Sequence, residues 1–156
     1  MVDGELELAQ RLMADGDDIH FVTENDKWTY FHQATDTDDT PPESILFLIE
    51  QGLDVNAVDS YGYTPLIYAV RQQNLPAIKL LLENRAKKLI NHRPEDGATP
   101  LKMVFDRKPY SAEIVKILLE AGADPDAKKE GGSSFRNSVA ILADMPPEIP
   151  ELLRKY

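Results

Sequence analysis

Three threonines, Thr29, Thr64 and Thr99, stand 35 residues apart along the 156-residue chain. In the second and third copies, proline and leucine follow the threonine, as Pro65, Leu66, Pro100 and Leu101. Self-similarity at a fixed period of this length predicts an array of stacked supersecondary units. A single globular core with one active-site cleft is less consistent with this repeat.

Each period contains two short apolar segments at helical spacing, which predicts a helix, a turn and a second helix. In the central copy, Thr64 is placed to cap the first helix and Pro65 to occupy its first turn. Gly62 precedes them and suits a tight turn, because glycine tolerates backbone conformations that other residues avoid. One helix pair cannot bury both of its faces, so such units must stack.

The second helix of the first unit has its own start signal. Thr40 is expected as the helix N-cap, with proline in the first turn and Glu43 closing a capping box. The apolar face of this helix comprises Ile45, Leu46, Leu48 and Ile49, and Gly52 ends it.

The two ends of the chain carry weaker versions of the pattern. Residues 5–13 carry an apolar helical stripe, which predicts half a unit that caps the array over residues 1–22. Residues 128–156 lack the Thr-Pro-Leu signal but still suggest two short helices, which is typical of a C-terminal cap.

The chain resembles ankyrin repeats. The resemblance is carried by residues 59–66 and 96–101 and is reinforced by residues 52–57 and 122–127. It implies one domain over residues 1–156, an all-α solenoid of stacked helix-turn-helix units with short β-hairpin fingers and degenerate terminal caps. The three units are expected at residues 23–57, 58–92 and 93–127.

In this family pattern, several positions are expected to serve the scaffold. They are His32, Gly62, Thr64, Pro65, Leu66, Gly97, Thr99, Pro100 and Leu101. The first unit departs from the pattern, because Lys27 replaces the turn glycine and Tyr30 the proline. His32 alone keeps the family's histidine, and we expect it to hydrogen-bond across repeats rather than to act as a base.

Charge is distributed unevenly along the chain, whose net charge is −10. Residues 1–59 hold 15 acidic side chains against Arg11 and Lys27, whereas the remainder has a small excess of bases. An acidic region of this kind can steer a basic partner. Direct binding of nucleic acid is disfavoured, because it requires a basic footprint.

The absence of cysteine excludes disulfides and thiolate metal sites. The N-terminus lacks the apolar run of a secretory signal, and no segment approaches the roughly 20 apolar residues that span a bilayer. These features favour a cytoplasmic protein without membrane contact, and we expect a monomer in the free state.

Few residues suggest catalysis. His20, His32 and His92 are far apart in sequence. The acidic loop with Asp36, Asp38 and Asp39 loosely resembles a calcium loop but lacks its turn glycine and closing glutamate. We therefore expect no metal, no cofactor and no enzymatic activity.

In ankyrin-like proteins, partners dock on the finger tips and on the concave face formed by the first helices. The matching candidate contact residues are Glu24, Asp26, Trp28, Asp36, Asp38, Asp39, Asp59, Ser60, Tyr61, Tyr63, Arg71 and Gln72. Trp28 is expected beside Tyr63, with Tyr61 as a third ring inside an acidic rim. Aromatic side chains are frequent interface anchors, although Trp28 is equally suited to covering the core.

These features favour a protein that binds and occludes a basic protein partner. By size and charge the chain resembles bacterial immunity proteins, some of them ankyrin-like, that neutralise a toxin such as a nuclease. An adaptor or assembly factor is the alternative within the binding class. A metal-dependent factor or enzyme using the loop at residues 36–39, and a solenoid without a dedicated partner, are rivals from other classes.

Overall fold

A computed structural model of the protein describes Gly16 and residues 18–156. The helix predicted within residues 5–13 lies outside the described residues.

The described residues form a series of short helices that pair along the chain. The α-helices are α1 (Tyr30–Thr35), α2 (Pro42–Glu50), α3 (Pro65–Arg71), α4 (Leu75–Glu83), α5 (Ala112–Glu120), α6 (Phe135–Ile141) and α7 (Glu148–Leu153). Two 3₁₀ helices occupy Ala86–Leu89 and Lys102–Asp106, and the second stands where the first helix of the third unit was predicted. This architecture confirms the predicted all-α solenoid.

Projecting turns precede the first helices, and we call them finger 1 (residues 23–28), finger 2 (59–63) and finger 3 (92–97). In finger 2, the amide of Asp59 donates to the carbonyl of Tyr63 at 3.0 Å, and that of Gly62 donates to the carbonyl of Asp59. A turn this short forms too few backbone hydrogen bonds to make a β-ladder. No β-strand occurs among residues 18–156, so the fingers are hydrogen-bonded turns rather than the predicted β-hairpins.

The threonine period has a structural basis at the helix starts. The Oγ1 of Thr64 accepts from the amide of Ile67 at 3.4 Å, and that of Thr99 accepts from the amide of Lys102 at 3.2 Å. Ser134 lies another 35 residues along and caps α6 by accepting from Asn137 at 3.2 Å. The period therefore extends into the segment predicted as the C-terminal cap.

Helix α2 begins one residue later than predicted. Pro41 takes the N-cap position in an extended conformation and Pro42 is the first helical residue. Thr40 is consequently displaced from the helix end, and its Oγ1 is buried without a hydrogen-bond partner in the described part of the chain.

The core lies between successive helix pairs. Its fully buried side chains include Phe31, Ile45, Leu66, Ile67, Ile78, Leu81, Leu101, Ile114, Leu118, Phe135 and Ile149. In the last described unit, Arg136 occupies the place that Leu66 and Leu101 occupy in the repeats before it. Arg136 binds the carboxylate of Asp126 at 2.9 Å and the carbonyl of Leu153 at 2.7 Å, so a polar side chain links α6 to the preceding loop and to the end of α7.

Candidate protein-binding groove

An open groove of about 850 Å³ lies between fingers 2 and 3. It is lined by residues 59–63 and 92–96, together with Trp28, Tyr68 and Arg71. The groove therefore combines part of finger 1, the adjoining helix α3 and the two following fingers. Of the predicted contact residues, it brings together Trp28, Asp59, Ser60, Tyr61, Tyr63 and Arg71.

An aromatic cluster forms one wall of the groove, with Tyr68 at its centre. The ring centroid of Tyr68 lies 5.4 Å from Trp28 and 5.6 Å from Tyr63. His32 also lies edge-on to Tyr68, at 5.8 Å between centroids. The predicted contact of Trp28 with Tyr63 is thus replaced by contacts of both rings with Tyr68, which projects from α3 between them.

Asp59 organises finger 2 from a buried position, with only 4% of its surface exposed. Its Oδ1 accepts from the backbone amides of Tyr61 at 2.9 Å and Tyr63 at 2.8 Å. Its Oδ2 accepts from the hydroxyl of Tyr68 at 2.6 Å. Asp59 therefore differs from its predicted role as a contact residue, because both oxygens are used to hold the finger.

His32 joins the first unit to finger 2. Its Nε2 donates to the carbonyl of Tyr63 at 3.1 Å, and its Nδ1 accepts from the amide of Thr29 at 3.1 Å. A carbonyl requires a donor and an amide requires an acceptor, so this geometry selects the neutral Nε2–H tautomer. Burial lowers the pKa of His32 below its ordinary value, which agrees with a neutral ring.

Fingers 2 and 3 are tied to each other at several points. His92 Nε2 donates to the carbonyl of Gly62 at 2.8 Å, and the hydroxyl of Tyr63 donates to Asp96 at 2.5 Å. Burial, reinforced by the bond to Asp96, raises the pKa of Tyr63 to about 12. Gly62 has φ +83°, and a Cβ there would lie 3.2 Å from the Cβ of Pro94. Finger 2 therefore packs closely on finger 3 only with glycine at this position.

The tip of finger 2 is free to meet a partner. Tyr61 is 63% exposed, which makes it a large apolar surface next to the groove. The adjacent Ser60 is also exposed, and its amide donates to the carbonyl of Asp26 in finger 1 at 2.9 Å. Trp28 is partly buried, and its indole Nε1 is buried without a partner among the described residues.

The acidic rim is smaller than predicted because basic side chains of the later units neutralise part of it. Asp36 Oδ1 lies 2.5 Å from Arg71, 35 residues on, and also accepts from Gln72 at 2.9 Å. Asp38 pairs with Arg107 at 2.8 Å. Arg71 also lies over the ring of Tyr68, 4.6 Å from its centroid.

The remaining acidic candidates are unevenly placed. Glu24 and Asp26 are exposed on finger 1, next to finger 2, whereas Asp39 is bonded to Thr37 within its own loop. Within residues 18–156, no cluster of three or more His, Asp or Glu side chains could hold a metal ion. The carboxylates of Asp36 and Asp38 instead bind Arg71 and Arg107.

Comparison with known families identifies the fold. A model for ankyrin repeats in three copies matches residues 1–92, and a single ankyrin-repeat model matches residues 96–130. This chain belongs to the ankyrin-repeat family. Ankyrin repeats mediate protein–protein binding, so this family assignment supports an interaction role.

Similar ankyrin proteins occur in distant organisms. Zygote-specific protein 3 of Chlamydomonas reinhardtii is 37% identical over 107 residues, covering 68% of this chain and 26% of that protein. The B-cell lymphoma 3 protein homolog of Mus musculus is 34% identical over 113 residues, covering 72% and 23%. Phosphocholine transferase AnkX of Legionella pneumophila is 26% identical over 151 residues, covering 92% and 15%. The ankyrin chain thus spans about a quarter or less of the length of these relatives.

One central feature of the ankyrin groove is absent from the sequence-based prediction. Tyr68, the central ring, reads in the sequence as one more apolar position of α3. The wall formed by residues 92–96 is part of finger 3, whose Glu95 and Asp96 match the finger-tip positions at which partners of ankyrin-like proteins dock. None of the helices described for this ankyrin chain is long and apolar enough to cross a bilayer.

Proposed function

We propose that this ankyrin-repeat chain is a non-catalytic cytoplasmic protein that binds a basic protein partner through the groove and the tip of finger 2. The observation that carries the proposal is the position of Tyr61, which is 63% exposed at the mouth of the groove. An exposed tyrosine surrounded by less exposed rings is a typical anchor of a protein interface.

Charge supports a basic partner. Glu24 and Asp26 are exposed on finger 1, and Glu95 and Asp96 are exposed on finger 3, so carboxylates flank finger 2 on both sides. Arg71 is paired with Asp36, whereas Arg93 is exposed and donates to the neutral carbonyl of Lys128. The exposed carboxylates of the fingers, Glu24, Asp26, Glu95 and Asp96, still outnumber the exposed basic side chains of Lys27 and Arg93.

The proposed mechanism is steric masking. The free protein is a monomer, and its fingers cover a cationic surface of the partner, as an immunity protein covers the active site of a toxin such as a nuclease. The compact array and its net charge of −10 support this reading by analogy. An adaptor would use the same groove but leave the partner active.

The test is capture on the immobilised full chain from a lysate of the source cells, followed by titration of the purified complex with salt. A steep loss of affinity with rising salt is expected for a basic partner, because exposed charges are screened. An affinity that does not change with salt would contradict the charge assignment and favour an adaptor. Loss of the partner's own activity in the complex distinguishes masking from assembly.

A charge-matched pair of variants localises the contact. Glu24→Gln with Asp26→Asn removes two exposed charges on finger 1, and Glu148→Gln with Glu151→Gln removes two exposed charges on α7. The finger variant is expected to weaken binding and flatten the salt dependence, whereas the α7 variant is expected to behave as the parent. Equal effects of the two variants would place the interface elsewhere.

A further inference from the structure

The indole ring of Trp28 is well packed, but its N–H group is not hydrogen-bonded by the described residues. Its indole ring packs against Tyr68, with 5.4 Å between centroids, and stacks on His32 at 6.4 Å. The Nε1 atom, however, is buried with no hydrogen-bond partner among the described residues. A buried donor without an acceptor is unfavourable and uncommon in native proteins, so the indole N–H of Trp28 calls for an explanation.

The orphan donor belongs to a residue of the groove. Trp28 lines the groove together with Tyr61, Tyr63 and Tyr68, and its side chain is only partly buried. The ring is therefore within reach of a bound molecule, and a rotation that exposes the N–H edge would gain an acceptor that the described residues do not supply. Trp28 differs in this from Tyr63 and Tyr68, whose hydroxyls already donate to Asp96 and Asp59.

We propose that the groove binds an extended peptide segment of the partner, with a backbone carbonyl of that segment accepting a hydrogen bond from Trp28 Nε1. This inference rests on the proposed function and names the chemical group that the groove recognises. The accepting carbonyl is neutral, and a residue next to it in the peptide carries a basic side chain.

The charges of the groove select a neutral acceptor over a carboxylate. Asp59, Glu95 and Asp96 line the groove, and an anion would be repelled by them. Of the two nearby cations, Arg71 is paired with Asp36, and the single charge of Arg93, which donates to the neutral carbonyl of Lys128, does not balance the three carboxylates. A peptide carbonyl accepts without carrying charge, and a neighbouring basic side chain can meet the exposed carboxylates of Glu95 and Asp96.

Part of the backbone of finger 2 is already hydrogen-bonded within the chain. The carbonyl of Gly62 accepts from His92, and that of Tyr63 accepts from both His32 and the amide of Asp59, which leaves little of this turn to pair with an added strand. Recognition is therefore expected to use side chains, with Trp28 Nε1 as donor and the ring of Tyr61 as cover.

The chain supplies its own reporter for this proposal, because Trp28 is its only tryptophan. A ¹⁵N-labelled sample gives a single indole N–H resonance, which can be followed while short random peptides, selected by phage display on the full chain, are titrated in. A downfield shift of that resonance at saturation is the expected result, since hydrogen bonding deshields the indole proton. A resonance that does not move, or a selection that yields no binder, would overturn the proposal.

Trp28→Phe separates a recognition role from a packing role. The variant keeps an aromatic ring and removes the orphan N–H, so its melting temperature is expected to equal or exceed that of the parent. Its affinity for the selected peptide, measured by calorimetry, is expected to fall by about tenfold. A lower melting temperature with unchanged affinity would assign Trp28 to the scaffold alone. The indole resonance of the parent protein decides the question even if the variant fails to fold.

The peptide experiment and the capture experiment fail independently. A salt-sensitive partner whose complex leaves the indole resonance unshifted would preserve the proposed function and overturn the peptide site. A shifted resonance with a selected peptide, in the absence of any captured basic protein, would preserve the groove and overturn the basic partner.

Discussion

Tyr68 donates its phenolic hydrogen to Asp59 Oδ2 over 2.6 Å, and the other oxygen of Asp59 holds the amides of Tyr61 and Tyr63. One buried carboxylate thus connects helix α3 to the turn that presents the exposed tyrosine. The position of Tyr61 at the mouth of the groove depends on this connection.

Replacing Asp59 by alanine is expected to destabilise the fold by about 2 to 3 kcal/mol, because it leaves two backbone amides and the hydroxyl of Tyr68 without an acceptor. Asp26→Ala, on the exposed part of finger 1, is the matched control and is expected to stay within about 0.5 kcal/mol of the parent. Chemical denaturation measures both values. Equal stabilities of the two variants would contradict the structural role of Asp59.

The energy of the hydrogen bond between Tyr68 and Asp59 can be measured separately by combining Tyr68→Phe with Asp59→Ala in a double-mutant cycle. A hydrogen bond to a charged group contributes about 1.5 to 3 kcal/mol, so a coupling energy of that order is expected. Additive effects of the two substitutions would show that the hydroxyl and the carboxylate do not interact.

The close packing of fingers 2 and 3 gives a second prediction, with two glycines compared. Gly52 and Gly62 both have positive φ, at +78° and +83°, but only at Gly62 would a Cβ meet another residue, Pro94. Alanine at either position incurs the left-handed backbone cost of about 1 to 2 kcal/mol. Gly62→Ala is expected to lose about 1 kcal/mol more, from overpacking against Pro94. Thermal unfolding of the two variants measures the difference, and identical losses would argue against the contact.

The neutral state of His32 makes stability dependent on pH. Burial lowers the pKa of His32 below its ordinary value of 6.5, so the unfolded chain binds a proton at this residue more readily than the folded chain does. The contribution of His32 is therefore fully present above pH 6.5 and is lost as the pH falls below it. The free energy of unfolding is expected to drop by up to about 1.4 kcal/mol for each pH unit below 6.5.

His32→Gln provides the comparison, because glutamine keeps a donor and an acceptor but does not titrate. His20 and His92 are present in both proteins, so the difference between the two stability curves isolates His32. The curves are expected to converge towards low pH, until the folded-state pKa is reached. Parallel curves across this range would show that His32 is not the group responsible.

Much of the fold follows from the sequence because local signals agree with the repeat. Thr64 and Thr99 accept hydrogen bonds from amides at the starts of their helices, and Gly62 and Gly97 take the left-handed conformation that their turns require. These are short-range effects that a residue and its neighbours determine. The start of α2 departed from the prediction because consecutive prolines move the helix end past Thr40.

The groove is formed by contacts between one unit and the next. Such contacts are harder to predict from the sequence than helix caps and turns. Asp36 counts in the sequence as free acidic surface, but the repeat places Arg71 against it. Asp59 is acidic and next to an exposed tyrosine, which suggested a contact residue, but stacking buries it beneath Tyr68. For both residues the sequence shows the negative charge. The side chains that bind it, Arg71 and Tyr68, lie on helix α3 and are brought close only by the fold.

The most direct test of the account compares the affinity of the captured partner for Tyr61→Ala and Tyr156→Ala. Both tyrosines are largely exposed, at 63% and 51%, but only Tyr61 lines the groove. The Tyr61 variant is expected to keep its melting temperature and to lose about 2 kcal/mol or more of binding free energy, while the Tyr156 variant binds as the parent. Full affinity of the Tyr61 variant would place the interface away from finger 2 and contradict the proposed binding site.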